Sequence, residues 1–166
     1  MGSSKEWNER RYEADPVCGK GNQVSAGDEA KDEAAIYEVL MKLGSAFRDL
    51  DAIGIDDLYV PDADWTNAFG TTVHGNLEIA EYLTVLFANR HFAAGAPLAP
   101  PRAWVRFVGM DVAIAKTYLE RSGQQGSSGE ELPVRHNHSL KVLTKDDGHW
   151  RIVSDLYMDA RDDSTL

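Results

Sequence analysis

Three of the five histidines fall in the last third of the chain. His136 and His138 stand two apart in the run 133–143. In a strand that spacing sends both to one face, shared with Val134, Leu140 and Val142, while Arg135, Asn137 and Lys141 take the other. Both imidazoles are therefore expected to face an apolar interior. A desolvated imidazole stays neutral near neutral pH and serves as base or acid. His138 is the catalytic candidate of the two. A satisfied core or interface histidine is the commoner outcome for such a residue. His-x-His also supplies two metal ligands, but no third is spaced to complete a site, so no metal is expected.

Asp155 interrupts the otherwise apolar run 149–158. Inside an apolar pocket its carboxyl would be pushed towards neutral pH and suited to proton transfer. Tyr157 shares its face, yet Trp150, Ile152, Leu156 and Met158 form the more apolar set. That count slightly favours an outward Asp155, in water or across a dimer interface. Asn67 cannot accept a proton, but it can orient a carbonyl or a water. A polar residue satisfied by its own strand is an equal reading. Tyr118 alternates with Val112, Ile114 and Lys116 and is a donor candidate for an oxyanion. Trp65, Tyr82, Phe87, Trp104, His136 and Tyr157 are the ring-bearing candidates for the walls of a substrate pocket. Each of them singly is more often core packing. His74, near a turn, is a rim candidate, and Arg102, after two prolines, a candidate to attract an anionic substrate.

These residues need elements to hold them. Ile36, Leu40, Leu43, Phe47 and Leu50 recur at spacings of four and three, one stripe of a helix with Gly44 inside it. A short second helix is expected over 52–59, ended by Pro61. The runs 64–69 and 71–74 read as paired strands. Asn76 opens a third helix whose stripe is Ile79, Tyr82, Leu83, Leu86 and Phe87. The Ala, Gly and Pro stretch 93–101 reads as a loop and candidate lid. Strands follow at 103–108, 111–121, 133–143 and 149–158, with Asp147-Gly148 as a hairpin turn. Helices early and hairpin-linked strands late make an α+β fold with helices on one face of an antiparallel sheet.

The 166 residues favour one domain, with residues 1–27 as a disordered or loosely attached leader, 28–160 as the domain and 161–166 as a tail. Net charge −10 disfavours nucleic acid and anionic membrane surfaces as partners. The single cysteine, Cys18, forms no internal disulfide. No apolar run suits a signal peptide or a membrane span, so a cytoplasmic location is expected. No phosphate loop, dinucleotide fingerprint or nucleophile elbow occurs, so no cofactor is expected.

Leu58-Tyr59, Asp62-Ala63-Asp64-Trp65, Asn67, Gly70 and Gly75 before a helix, with Gly148 to Val153 at the end, resemble the nuclear transport factor 2-like superfamily over about residues 28–160. The nearest resemblance is to its SnoaL-like branch, named for polyketide cyclases. The superfamily also holds ketosteroid isomerase and scytalone dehydratase. The resemblance implies a cone, a curved antiparallel sheet wrapped around a long N-terminal helix (a cystatin-like α+β barrel) enclosing an apolar cavity. It also implies homodimers through the outer sheet face, here with Val105, Phe107 and Val153. Asn67 stands where ketosteroid isomerase carries its general-base Asp, so that activity is not expected. The favoured reading is a cofactor-independent isomerase, cyclase or dehydratase for an apolar cyclic molecule. His138 or Asp155 would move the proton, while Asn67 and Tyr118 position it. A non-catalytic binding or dimeric interaction domain is the rival. An epoxide hydrolase, needing Asp, Arg and Asn around one water, is third.

Overall fold

A computed structural model describes residues 26–160; the leader expected from the sequence, its Cys18 and the tail beyond 160 lie outside those residues, except that Ala26 and Gly27 are already helical. Helix α1 (Ala26–Asp49) carries the anticipated stripe, with Ile36 and Leu43 almost fully buried. Leu50 ends it at φ 56°, and the Asp51 amide returns to the Ala46 carbonyl at 3.0 Å. That is the six-to-one closure of a helix C-terminus, here built on a leucine instead of the usual glycine. Asp32 ties the helix to the sheet, accepting from Trp150 Nε1 at 3.1 Å and pairing with Lys145 at 2.7 Å.

The expected second helix is only a 3-10 turn over Asp56–Leu58. Strand β1 (Tyr59–Thr66) begins there instead, five residues earlier than the sequence pattern suggests. Pro61 is tolerated inside it because the pairing with the last strand is irregular between Tyr59 and Asp64. Strand β2 (Thr72–His74) returns, and helix α2 (Asn76–Ala88) buries Ile79, Leu83 and Phe87. A single helical turn α3 (Arg90–Ala93) leads into the expected loop, and strand β3 (Ala96–Pro97) lies within it. Strands β4 (Arg102–Phe107), β5 (Val112–Ser122), β6 (Arg135–Asp146) and β7 (His149–Asp159) follow. The hairpin at Asp147 and Gly148 has φ of 48° and 78°, the left-handed pair that a two-residue turn requires.

The sheet runs β2-β1-β7-β6-β5, and β5 then pairs β4 along one stretch and β3 along another. All pairs are antiparallel except β1 with β7, which is parallel. The expectation of a wholly antiparallel sheet is corrected at that pair. The sheet curls, open, around α1 and α2, and the core of Ile36, Leu43, Ile79, Leu83, Leu143 and Ile152 lies between. No helix among the described residues is long and apolar enough to cross a membrane.

Candidate functional site

Two strands decide which side chains enter the concave face. Along β6 the burial alternates from Ser139 to Leu143, and Ser139, Lys141 and Leu143 are the buried set. His136, His138 and Leu140 therefore point to the convex, outer face. This reverses the expected orientation: the inward parity of β6 is the one carrying Arg135, Asn137, Ser139 and Lys141. On β7 the register slips between the Val142–Ser154 and Leu143–Ile152 pairs, so Val153 is an extra residue. Such a bulge switches the facing of everything beyond it. Trp150 and Ile152 point inward before it; Asp155, Tyr157 and Asp159 point inward after it. Asp155 is 1% exposed, while Leu156 and Met158 are 48% and 58% exposed. The slight preference for an outward Asp155 is thereby overturned.

Between the inner face, α1 and the segment 97–101 lies a cavity of about 920 Å³. Leu43, Phe47, Leu86, Phe92 and Leu119 give it apolar walls. Phe47 packs edge-on against Phe87 at 5.0 Å, and Tyr157 stands 5.8 Å from Phe47 and 5.4 Å from Trp65. Gly44 of α1 faces Pro101, so the proline-rich segment lies against the helix over the cavity.

Lys141 is the charged group set deepest in that wall. Its side chain is 3% exposed, and Nζ lies 3.0 Å from Asp155 Oδ1. Nζ also donates to Ser139 Oγ at 2.6 Å and stands 4.6 Å above the Tyr157 ring. Ser139 continues to Thr117 Oγ1 at 2.6 Å, and Tyr59 Oη donates to Asp155 Oδ2 at 3.0 Å. The result is one polar chain from Thr117 at the cavity to Tyr59 in the core, hydrogen-bonded on either side of the Lys141–Asp155 ion pair. Burial, and after it the Asp155 charge, push the Tyr59 and Tyr157 hydroxyls well above their ordinary range. Both therefore remain protonated donors at any working pH.

Asn67 and Tyr82 form a second polar point on the wall. Asn67 Oδ1 takes the amides of Phe69 and Thr71 at 2.8 and 3.0 Å, which fixes the side chain in the turn. Its Nδ2 donates to Tyr82 Oη at 3.0 Å. The tyrosine oxygen is thus an acceptor for Asn67, and its own proton is available to the cavity. A third polar region lies towards the ends of β5 and β6. Asp159 accepts from Arg135 Nε at 2.9 Å and also from Arg135 Nη2 and Asn137 Nδ2. Arg121 opposes Arg135 across the two strands.

The structure thus brings Asn67, Trp65, Tyr82 and Tyr157 to one concavity, with Asp155 behind its wall and paired to Lys141. Phe87 stands behind that wall as core, 5% exposed. The other candidates are elsewhere. Tyr118 and Trp104 lie on the outer face, since β4 and β5 turn Ala103, Val105, Phe107, Ala113 and Ala115 inward; His136 and His138 share that face on β6, and His138 also borders the cavity. Tyr118 Oη bonds Glu120 at 2.6 Å and His136 Nδ1 at 2.7 Å, and Arg102 stacks 4.7 Å from its ring. Arg102 is therefore not a lid residue facing the cavity. Val105 and Phe107, expected on the outer face, instead pack on the core, with Phe107 5.9 Å from Trp150. His74 pairs with Asp64 at 2.5 Å at an exposed position on β2. Among the described residues no group of three or more His, Cys, Asp or Glu could hold a metal.

Lys141 was missed because its alternation was read as outward on the strength of apolar neighbours. The signal present in the sequence was the placement of Lys141 and Asp155 on adjacent antiparallel strands, at equal separation from the 147–148 turn once one bulge residue is allowed.

No family model and no curated protein matches the chain. Solved structures do. An uncharacterised protein with a cystatin-like fold from Caulobacter vibrioides superposes with a TM-score of 0.68 at 19% identity, over 80% of this chain and 92% of that one. The chain has the nuclear transport factor 2-like fold. A hexachlorocyclohexane dehydrochlorinase from Novosphingobium barchaimii matches at TM-score 0.69 and 14% identity, over 82% of this chain and 92% of that one. A protein described as a candidate scytalone dehydratase from Novosphingobium aromaticivorans matches at 0.63 and 12%, over 82% and 89%. At such identities the likeness concerns the fold, and the nuclear transport factor 2-like frame alone assigns no reaction.

Proposed function

We propose that this nuclear transport factor 2-like protein is a cofactor-independent acid/base enzyme. Its substrate would be a largely apolar, carbonyl-bearing cyclic molecule held in the cavity, and its reaction an isomerisation, cyclisation or dehydration. The observation that carries the reading is Lys141, a buried amine on the cavity wall whose partners use only part of its donor capacity. An ammonium has three N–H groups; Ser139 takes one, Asp155 balances the charge, and the donor capacity that remains serves a ligand. Dehydrochlorinase and dehydratase neighbours of the same fold support proton-transfer chemistry in such a cavity.

The reacting form is the neutral pair, with the shared proton on Asp155 and the Lys141 amine free to act as base; its net charge equals that of the ion pair. The amine then takes a proton from the carbon next to the substrate carbonyl. A C–H bond breaks, an N–H bond forms, and the electron pair passes to the carbonyl oxygen. Tyr82 Oη, held by Asn67, donates to that oxygen. The ammonium returns the proton to another carbon of the enolate, and nothing is consumed. Asp155 acts through Lys141 and is a positioning residue, since it lies behind the wall.

The test is solvent-deuterium exchange. Cyclic ketones of one to three rings are incubated with the protein in D2O and followed by mass spectrometry. Exchange is expected for at least one ring class and should fall by at least about 100-fold in Lys141→Met and about 10-fold in Tyr82→Phe. A ketone that binds without exchanging would remove the acid/base reading and leave a small-molecule binding module.

A second reading, hydrolysis of an epoxide, is favoured by Asp159 holding both Arg135 and Asn137 beside the cavity. It stands second because those donors already occupy both oxygens of the carboxylate. Diol formation from a cyclic epoxide, lost in Asp159→Asn and retained in Lys141→Met, would place it first.

A further inference from the structure

Arg121 lies in the cavity wall near the ends of β5 and β6 and is 5% exposed. A guanidinium has five N–H groups and no means of losing its charge. Here Nη2 donates to the Gly95 carbonyl at 2.7 Å, the plane lies 4.9 Å from the Phe92 ring, and Nε has no partner. Among the described residues no carboxylate pairs with it. The charge that bears on it is of the same sign. Arg135 is its direct partner across the strands, and burial together with Arg135 lowers the Arg121 pKa. Arg135 is matched by Asp159, and its Nη1 donates to Gln124 at 2.9 Å. Two cations therefore share one carboxylate, and Arg121 is the unmatched one.

An unpaired buried charge is expensive, and like charges opposite each other on adjacent strands add to the cost. A fold keeps such an arrangement when a ligand supplies the counter-charge. We infer that the ligand of this cavity carries an anionic head, of the carboxylate class, which Arg121 receives through Nε and its remaining N–H groups. The inference rests on the reading of the cavity as a ligand site and adds the chemical class. It also adds a length. Arg121 pairs with Arg135, and Lys141 is six residues further along the same strand, roughly 20 Å of backbone. Two long side chains narrow that gap, so the molecule is an elongated amphiphile with its acid at Arg121 and its apolar, reacting part towards Lys141.

The test uses ω-phenylalkanoates with two to eight methylene groups and the matched primary amides, with the full chain and thermal shift as readout. A ligand bound by the folded state alone raises the midpoint according to its affinity. The carboxylates are expected to bind at least about 10-fold more tightly than their amides, with an optimum at the longer members. Arg121→Met should erase that preference while leaving amide binding intact. The unliganded Arg121→Met protein should melt no lower than wild type, because the substitution removes an unmatched charge. A purely structural arginine would instead lower the midpoint. Equal binding of acids and amides by the wild-type protein, a contrast that needs no variant, would overturn the anionic head and leave the cavity reading intact. Failure of every acid and every amide to bind would overturn both.

Discussion

At the scale of the residue, the Lys141–Asp155 pair makes a sharp energetic demand. Both side chains are essentially inaccessible to water, at 3% and 0% exposure. Removing one partner of such a pair leaves the other as an uncompensated charge, at a typical cost of about 3–5 kcal/mol. Asp155→Asn is therefore expected to lower the free energy of unfolding by that order, seen as a fall in the urea midpoint. Lys141→Met with Asp155→Leu removes both charges and should recover most of the loss, while any turnover stays absent. A double variant no more stable than Asp155→Asn would mean that the chain Ser139–Lys141–Asp155–Tyr59 holds the fold together instead of serving a site. His138 makes a different prediction. Burial first, then the charges of His136, Arg102 and Lys116, hold its imidazole below the ordinary value. Between that lowered pKa and about 6.5 the unfolded chain binds the extra proton, so stability rises with pH across the window. Below the lowered pKa the penalty is fully present. His138→Gln should flatten the dependence of the melting temperature on pH just below 6.5. The histidines drew attention in the sequence because His titrates near neutrality; Lys141 did not, because a lysine among apolar neighbours on a strand usually marks the wet face. The wall of a ligand cavity breaks that rule, since it is buried and polar at once.

At the scale of the element, counting residues matters more than their apolarity. The set Trp150, Ile152, Leu156 and Met158 shares one parity in the sequence, yet Val153 divides it in space. A bulge leaves no reliable mark in a single apolar run, which is why the facing of Asp155 could not be read from β7 alone. The helices and hairpins were far more legible. The stripe of α1, the Asn76 start of α2 and the Asp147-Gly148 turn appear where local chemistry dictates them. The missed helix over 52–59 and the early start of β1 reflect tertiary pairing, because Tyr59 aligns with Ile152 and donates to Asp155. The bulge is directly testable. Val153→Gly keeps the residue count and is expected to cost about 1 kcal/mol or somewhat more. Deleting Val153 removes the extra residue and leaves the Leu143–Ile152 and Val142–Ser154 pairs with their facing unchanged, so Asp155 and Tyr157 stay inward. Inserting one residue beside Val153 should be far worse, since it would turn Leu156 and Met158 inward and Asp155 and Tyr157 outward, or break the β6–β7 register. Loss of the near-ultraviolet dichroism of the Trp65–Tyr157 contact in the insertion, with its retention in Val153→Gly and in the deletion, is the expected contrast. An insertion as stable as Val153→Gly would show that the residue count at the bulge does not set the facing.

At the scale of the whole molecule, the turn of the sheet leaves a convex face with an apolar stripe. Leu140 and Leu156 are register partners there, Met158 pairs with His138, and all three apolar side chains are more than a third exposed. Trp104 and Lys116 extend the same row across β4 and β5, and the four strands form a shallow groove of about 230 Å³. The residues first expected to cover this face, Val105 and Phe107, belong to the core, so the surface that remains is a different one from that read in the sequence. A sheet face of this kind suits a two-fold contact, in which each copy presents the same stripe to the other. The prediction is a dimer of about twice 18.3 kDa by light scattering after size exclusion. Leu156→Glu should convert it to the monomer without lowering the monomer's own stability, since the side chain faces water there. The coupling to the site is indirect but measurable. Ser139 and Lys141 alternate with Leu140 on one strand, so a partner pressed against Leu140 stiffens the backbone that aims Lys141. Leu156→Glu is then expected to reduce solvent-deuterium exchange into a bound ketone by a few-fold and to leave carboxylate binding at Arg121 nearly unchanged. A wild-type protein that is monomeric at micromolar concentration would remove the dimer, and the apolar stripe would then require a partner of another kind.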